Sequence, residues 1–597
     1  MITLLLLTLA IPAITAALLM LFGTSVAGRS ARWIALTGTC AALATSLVLV
    51  REYRSLDVGS AAVEVGGFSD ASGFSPVHPR VSMRHDWLTM QPDKGQLSQP
   101  VRLQFHLGLD GISVALIALT TLLTVSCVLI SWESIRQREA EFYAALLILE
   151  AGLIGVFAAF DLALFYVFFE FTLIPLFFLI AIWGGPQRKF AAVKFFLYTL
   201  TGSLITLLAL AGLVLHVADS GLTTPCSIPD LASWLITHPL DPSLQMLFFL
   251  SLSAGFLIKV PVFPFHTWLP LAHVEAPTAG SVLLAGVLLK LGTYGFLRLC
   301  LPMFPQACLT TGLPMIGVLS VIGIIYGSLC ALAQRDIKKL VAYSSVAHLG
   351  FCTLGLFAFN VEGVSGSVLQ MINHGLSTGG LFLLVGMVYD RYHTRQLDEL
   401  GGLAQRLPLI AFAMVFISMA SIGLPGLNGF VGEVLSLIGM FARNKLYAIL
   451  GAAGVVLGAW YLLTMLQHAF FGTLKEPHHG DEPVPDLNIR ELLAIGPIAA
   501  ACLWIGLYPA PVLELIRPDV DAVVALYPRP NSAPIILADE SPEETLPADS
   551  ARFDGNAVSG QMDTTLDIAA TDTQSRTPRF HPLTSDVRPL TSGSDAD

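Results

Sequence analysis

Long apolar runs, separated by short polar or glycine- and proline-rich punctuation, fill most of the first 510 positions of the chain. A run of roughly twenty apolar residues is the length a helix needs to cross a bilayer. On that measure the pattern predicts spans at 2–22, 32–50, 111–131, 142–160, 162–183, 191–216, 244–262, 277–299, 310–332, 338–359, 365–389, 408–440, 446–471 and 491–509, about fourteen in all. The first run has no basic leader and no small-residue cleavage site, so it reads as a span rather than a removed signal. The fold class expected is an all-α polytopic membrane protein. Its organisation would be N-terminal helices in 1–50, an extramembrane segment 51–110, a third span in 111–141, a core in 142–300 and 308–472, a last span in 490–510, and an acidic, largely disordered tail 517–597.

The polar residues inside those runs change the picture from a membrane protein to one with chemistry at its centre. Glu150, Glu170, Lys259, Lys290, His348, His374 and Glu433 each stand well inside an apolar stretch. A charged side chain at the bilayer centre costs about 3 kcal/mol even on the mild insertion scale. Seven titratable groups of both signs at that depth point to ion movement. Glu150 lies nine residues beyond Glu141, Glu170 nine beyond Asp161, His348 nine beyond Lys339, His374 nine beyond Ser365, Glu433 ten before Arg443 and Lys290 eight before Arg298. At about 1.5 Å of rise per residue these offsets are roughly half of a ~30 Å hydrocarbon core. The groups would then form a row at one level.

Two spans carry breaks beside such a group. Pro261 and Pro264 follow Lys259, and the run GLPGLNG at 423–429 precedes Glu433. Irregular backbone at membrane depth is tolerated only where it is buried in protein or lines a watery cavity. Taking spans 4–8 and 9–13 as two five-helix units puts both breaks in the fourth helix of a unit, as expected of an inverted-repeat transporter. The first half-channel would lie in 142–300 and the second in 308–472.

Basic residues orient the set. With the N-terminus outside, the short inner loops hold Arg29, Arg32, Arg136, Arg138, Arg188, Lys189, Arg335, Lys338, Lys339, Arg391, Arg395 and Arg406, whereas the outer ones hold little beyond Arg298, Arg443 and Lys445. Both termini are expected on the outer side. Composition agrees with the class: 54 % of the 597 residues are hydrophobic and only 13 % charged. The net charge of −11 implies no basic partner and no nucleic acid, because the stretch from Arg517 onward holds fourteen Asp/Glu against six Lys/Arg. The eight cysteines show no cluster spacing and no glycine-rich dinucleotide fingerprint follows a strand, so the expectation is no iron–sulfur cluster, haem, zinc or dinucleotide in this chain.

Four segments then become informative together: FYVFFEFTLIPLFFLI (165–180), LIKVPVFPFHTWLPLAHVEAPTAGSVLLAGVLLKLGTYG (257–295), QRDIKKLVAYSSVAHLGF (334–351) and GLPGLNGFVGE (423–433). They resemble the antiporter-like, proton-pumping membrane subunits of respiratory complex I, over roughly residues 105–510. Within that family Glu433, where L-type subunits carry lysine, and the lack of a long lateral helix after the last span resemble the M-type (chain 4) branch.

The resemblance implies a set of roles. Glu170 would be the acid of the first half-channel, paired with Lys259. Lys290 would relay the proton, His348 and His374 would continue the path, and Glu433 would be the exit-side or inter-subunit group. Glu150 would be an auxiliary acid. NADH, FMN, iron–sulfur clusters and quinone would all sit in partner subunits, with antiporter-like neighbours on both sides in the bilayer and protons as the cargo. The setting implied is a bacterial inner membrane.

Plainer readings stand beside each of these. Glu170, Lys259 and Lys290 could be a static buried charge cluster, and His374 or Glu150 could simply satisfy packing. His266 and His273, beside Trp268 in the first break, suit gating or capping equally. Arg335, Asp336, Lys338 and Lys339 read as an interfacial charged collar, and His478-His479 as exposed loop residues. A subunit of a multi-chain cation/proton antiporter, of a membrane-bound hydrogenase, or a structural anchor would share much of this pattern.

Overall fold

The computed structural model describes residues 1–22, 28–56, 63–65, 75–90, 101–477 and 484–529, all within one compact unit, Met1–Ala533. His478-His479, half of the segment 51–100 and the tail from 530 onward lie outside the described residues.

Among the described residues, twelve helices are long and apolar enough to cross a membrane: Ile2–Phe22, Ser30–Arg54, Gly111–Ser134, Glu139–Ala158, Leu162–Trp183, Arg188–Asp219, Pro242–Lys259, Thr278–Met303, Pro305–Leu332, Val361–Tyr392, Lys445–Phe470 and Ile489–Leu507. Two of the fourteen expected positions look different. Ile337–Leu356 is a 20-residue helix whose first turn spends two positions on Lys338 and Lys339. The stretch expected as one span at 408–440 is two helices, Pro408–Ile422 and Asn428–Arg443. Gly423 and Gly426, at φ +84° and +92°, turn the chain between them, a backbone only glycine adopts without strain.

The breaks are where the sequence placed them, and their loose backbone ends find partners. Pro242–Lys259 stops at Lys259, the chain resumes as Leu269–Glu275, and Trp268 Nε1 donates to the Ile258 carbonyl at 3.0 Å. At the second break Asn373 Nδ2 donates to the Asn428 carbonyl at 2.7 Å, and Asn428 Nδ2 returns the bond to the Asn373 carbonyl. In each unit the third helix packs along the broken fourth: Arg188–Asp219 along Pro242–Lys259, and Val361–Tyr392 along Asn428–Arg443. Five crossings separate equivalent helices, and an odd number reverses direction, which makes the repeats inverted.

The helices carrying Lys290 and His374, Thr278–Met303 and Val361–Tyr392, are buried along their apolar windows by protein alone. That placement removes the central row from lipid. Ile2–Phe22 and Ser30–Arg54 are by contrast largely exposed on one side.

Two expectations need correction. The segment 51–110 is not only loop: Val81–Met83 pairs antiparallel with Leu107–Leu109, and Asp86–Met90 with Val101–Gln104. These strands are anchored on the helices, with Gln104 N–H donating to Asp161 and Arg84 paired to Asp230 at 3.2 Å. Nor does disorder begin at 517. The helix Ala510–Val524 buries Val512, Ile516, Val520 and Val523, a helical stripe hidden by the acidic average of the longer tail. Tyr527 stacks on Phe359 with centroids 4.2 Å apart and donates to the Leu301 carbonyl at 2.7 Å.

Candidate functional site

Lys290 stands two residues past the end of a π-helical turn, Leu284–Leu288, in one of the two fully enclosed long helices. Such turns interrupt α-helices mainly at functional positions. The lysine Nζ bends back to donate to the Ala285 carbonyl and also reaches His374 Nδ1 at 2.7 Å. The imidazole of His374 lies 5.7 Å, centroid to centroid, from that of His348. His348 Nδ1 is 2.8 Å from Glu433 Oε1, and Gln370 Nε2 donates to the same oxygen at 3.0 Å. Ser421 Oγ and Tyr461 hydroxyl both lie 3.3 Å from His348 Nε2. Four of the seven expected residues therefore form one continuous row, Lys290–His374–His348–Glu433, and none is more than 5 % exposed.

Four helices, one of them starting at a break, hold that row. His348 and His374 come from neighbouring full-length helices, and Glu433 lies one turn past the glycine break. The break lets the Glu433 helix start deep in the bundle, with its carboxylate facing inward. Two hydrogen-bonded pairs, Lys290–His374 and His348–Glu433, thus face each other across neighbouring imidazoles. An amine, two imidazoles and a carboxylate so placed have what a proton relay needs, because each can hold or release a proton at a ring nitrogen, an amine or an oxygen.

The first half is less continuous. Glu170 lies beside Ser203 and Tyr166, with Lys259 the charged group acting on it. No oxygen–nitrogen contact within the 4.0 Å of a salt bridge joins Glu170 to Lys259. Instead Lys259 Nζ sits 4.7 Å above the ring of Phe169, without a hydrogen-bond partner among the described residues. The expected closed ion pair is thus an open one: an aromatic face holds the ammonium one residue away from the acid. Glu150 is wholly buried with both oxygens unpartnered among the described residues, and no hydrogen bond joins it to the row.

Sequence reasoning misread two charges. Arg298, assigned to an outer loop, is buried, and its guanidinium meets Asp110 Oδ2 at 2.5 Å and Tyr294 hydroxyl at 2.9 Å. A second π-helical turn, Phe296–Cys300, carries it. Asp519, from the helix at the end of the described chain, joins the cluster by accepting from Ile112 N–H at 3.2 Å. Lys338 is likewise no solvated collar residue; it is 7 % exposed and donates to the Ala276 carbonyl at 2.6 Å. Neighbouring Asp336 caps its own helix through Lys338 N–H and Lys339 N–H. One signal was available for Arg298. It stands four residues after Tyr294, one helical turn, so both face the same way.

Residues 159–458 match the family model described as NADH:quinone oxidoreductase/Mrp antiporter, TM. NADH-quinone oxidoreductase subunit M of Rhodobacter capsulatus is 42 % identical over 510 residues, covering 84 % of this chain and 92 % of that protein. The chain belongs to this family. Among solved structures, a chain of respiratory complex I from Thermus thermophilus with bound NADH superposes with a TM-score of 0.71 at 30 % identity, over 88 % of this chain and 99 % of that one. A chain of the Mrp complex from Dietzia sp. DQ12-45-1b reaches a TM-score of 0.69 at 21 % identity, over 88 % of this chain and 98 % of that one, which is a likeness of fold. Glu170, Lys259, Lys290, His348, His374 and Glu433 all fall within the stretch matched to the NADH:quinone oxidoreductase/Mrp antiporter family, and Glu150 falls before it.

Proposed function

We propose that this chain is the M-type (chain 4) proton-translocating membrane subunit of an NADH:quinone oxidoreductase. The observation that carries the reading is the row of two hydrogen-bonded pairs, Lys290–His374 and His348–Glu433, brought together by imidazoles 5.7 Å apart and enclosed in protein. Identity of 42 % to subunit M over most of both chains favours this over the cation/proton antiporter, whose likeness rests on fold at 21 %.

Glu170 and Lys259 act as the loading pair: when the acid is charged the ammonium is held, and when it is neutral the ammonium loses its counter-charge. Lys290, His374 and His348 then pass the proton to Glu433, the exit or inter-subunit group. Glu150 serves as an auxiliary acid outside the row. Gln370 and Tyr461 orient the last two members.

Electron transfer from NADH through flavin and iron–sulfur centres to quinone belongs to partner subunits, and antiporter-like neighbours flank this chain. The setting is a bacterial cytoplasmic membrane with both termini on the outer side, a reading supported by the basic bias of the opposite loops.

An affinity-tagged chain isolated in mild detergent from its own membranes tests this. The expected preparation oxidises NADH with quinone as acceptor. A preparation with no NADH oxidation, accompanied by small antiporter subunits, would overturn the assignment.

A further inference from the structure

At the end of the bundle where the basic loops gather, a cleft of about 870 Å³ runs between the helix ends. Its wall includes Glu275, Lys338, Asp390, Arg395 and Glu491. Most of these carry their charge into ion pairs or caps: Glu491 meets Arg391 at 2.7 Å, and Glu275 Oε2 accepts from Gln187 N–H at 2.8 Å. Lys338 differs. It faces the cleft yet is nearly enclosed, and its ammonium is held by a neutral carbonyl, that of Ala276.

Ala276 ends the short helix Leu269–Glu275 that follows the first break, and this helix carries His273. The His273 side chain is fully buried and neither ring nitrogen has a hydrogen-bond partner among the described residues. Its ring stacks on Phe382 at 4.6 Å, with planes 12° apart, so its edge stays available while its face is fixed. The charged groups acting on that ring are Lys338 and Lys290. A buried imidazole with two idle nitrogens, on a short helix whose end Lys338 holds and within the field of Lys290, is costly as packing alone.

We propose that Lys338 is the intake residue of this chain, delivering protons from the cleft through His273 to Lys290. The step resting on the relay reading is a pair of proton transfers, each across a gap that is open in this structure, since neither His273 ring nitrogen has a partner among the described residues. The Lys338 ammonium gives a proton to one ring nitrogen of His273, and the other ring nitrogen gives its proton to the neutral Lys290 amine. Lys338 is left as an amine and recovers a proton from water in the cleft. The ring is left in its other tautomer and resets by turning or by proton exchange. Asp390 and Glu275 keep the mouth attractive to cations, and Arg395, donating to the Val274 carbonyl at 2.9 Å, holds the short helix in place.

A purely structural Lys338 would only staple the helix Ile337–Leu356 to the broken segment. Lys338→Arg separates the two roles, since arginine keeps the positive charge and can donate to the Ala276 carbonyl but does not release its proton. In inverted membrane vesicles with the complex intact on a native gel, Lys338→Arg is expected to lower NADH-driven proton uptake and coupled electron flow about tenfold or more. Wild-type rates would overturn the proposal. If Lys338→Arg does not assemble, Lys338→Ala is assayed with added methylamine or tetramethylammonium. Recovery with methylamine alone supports proton delivery through the cleft, and equal recovery or none with both overturns it. Lys290→Met measured alongside keeps the two levels apart. If it is inactive while Lys338→Arg is normal, only the intake assignment fails; if it is fully active, the relay reading itself fails.

Discussion

Replacing Lys290 by methionine stops coupled turnover of an otherwise intact complex, with a loss of about two orders of magnitude, the lower part of what positioned proton donors contribute. Lys290 is fully buried in a helix enclosed by protein, so the substitution must keep volume, and methionine does so with a flexible, apolar chain. His374 Nδ1 then loses its amine partner. His348 and Glu433 keep their contacts, with each other and with Gln370. The loss therefore belongs to the missing proton carrier. It is read as NADH-to-quinone flow and vesicle acidification together, with a native gel as the assembly control.

The largest effect on stability comes from the cluster that sequence reasoning assigned to a loop. Arg298→Met leaves the carboxylates of Asp110 and Asp519 in a buried site without their cation. Removing one partner of a buried pair costs about 3–5 kcal/mol, because the remaining charge stays uncompensated. Burial already holds the Asp519 carboxyl well above the usual carboxylate range, with repulsion from Asp110 adding to it and Arg298 opposing it. Without the guanidinium the buried Asp110 carboxylate loses its counter-charge and the Asp519 carboxyl is pushed further toward its neutral form, the helix Ala510–Val524 loosens, and the thermal midpoint in detergent falls.

Asp110→Asn on that background restores part of the loss. Asparagine still caps the helix Gly111–Ser134, where Asp110 Oδ1 now accepts Ser113 N–H at 2.8 Å, but no longer carries a charge. A double variant less stable than Arg298→Met would contradict this electrostatic explanation.

Much of the architecture was legible because membrane helices declare themselves by length and apolarity. Pro261, Pro264 and the 423–429 glycines marked both breaks for the same reason that any backbone departure stands out in an apolar run. The members of the row were legible too, since a lysine or glutamate in such a run has no cheap explanation. Their connectivity was not. Lys290 meets His374 across 84 positions and His348 meets Glu433 across 85, contacts set by helix packing and by π turns that carry no local signature. The open Glu170–Lys259 pair depends on Phe169, whose ring looked like ordinary packing. Arg298 and Lys338 were misread because residues near helix ends look interfacial in a linear sequence, whereas the strands and the helix Ala510–Val524 cover the Arg298 end and the broken segment covers Lys338.

The most direct measurement is a double-mutant cycle between His374→Gln and Glu433→Gln, scored on coupled proton uptake in inverted vesicles. Groups that act as one unit are strongly non-additive. If the four residues form a single relay, each variant lowers uptake about tenfold and the double variant falls no further than the worse single one. If the two losses multiply, His374 and Glu433 act independently and the row is not a proton path.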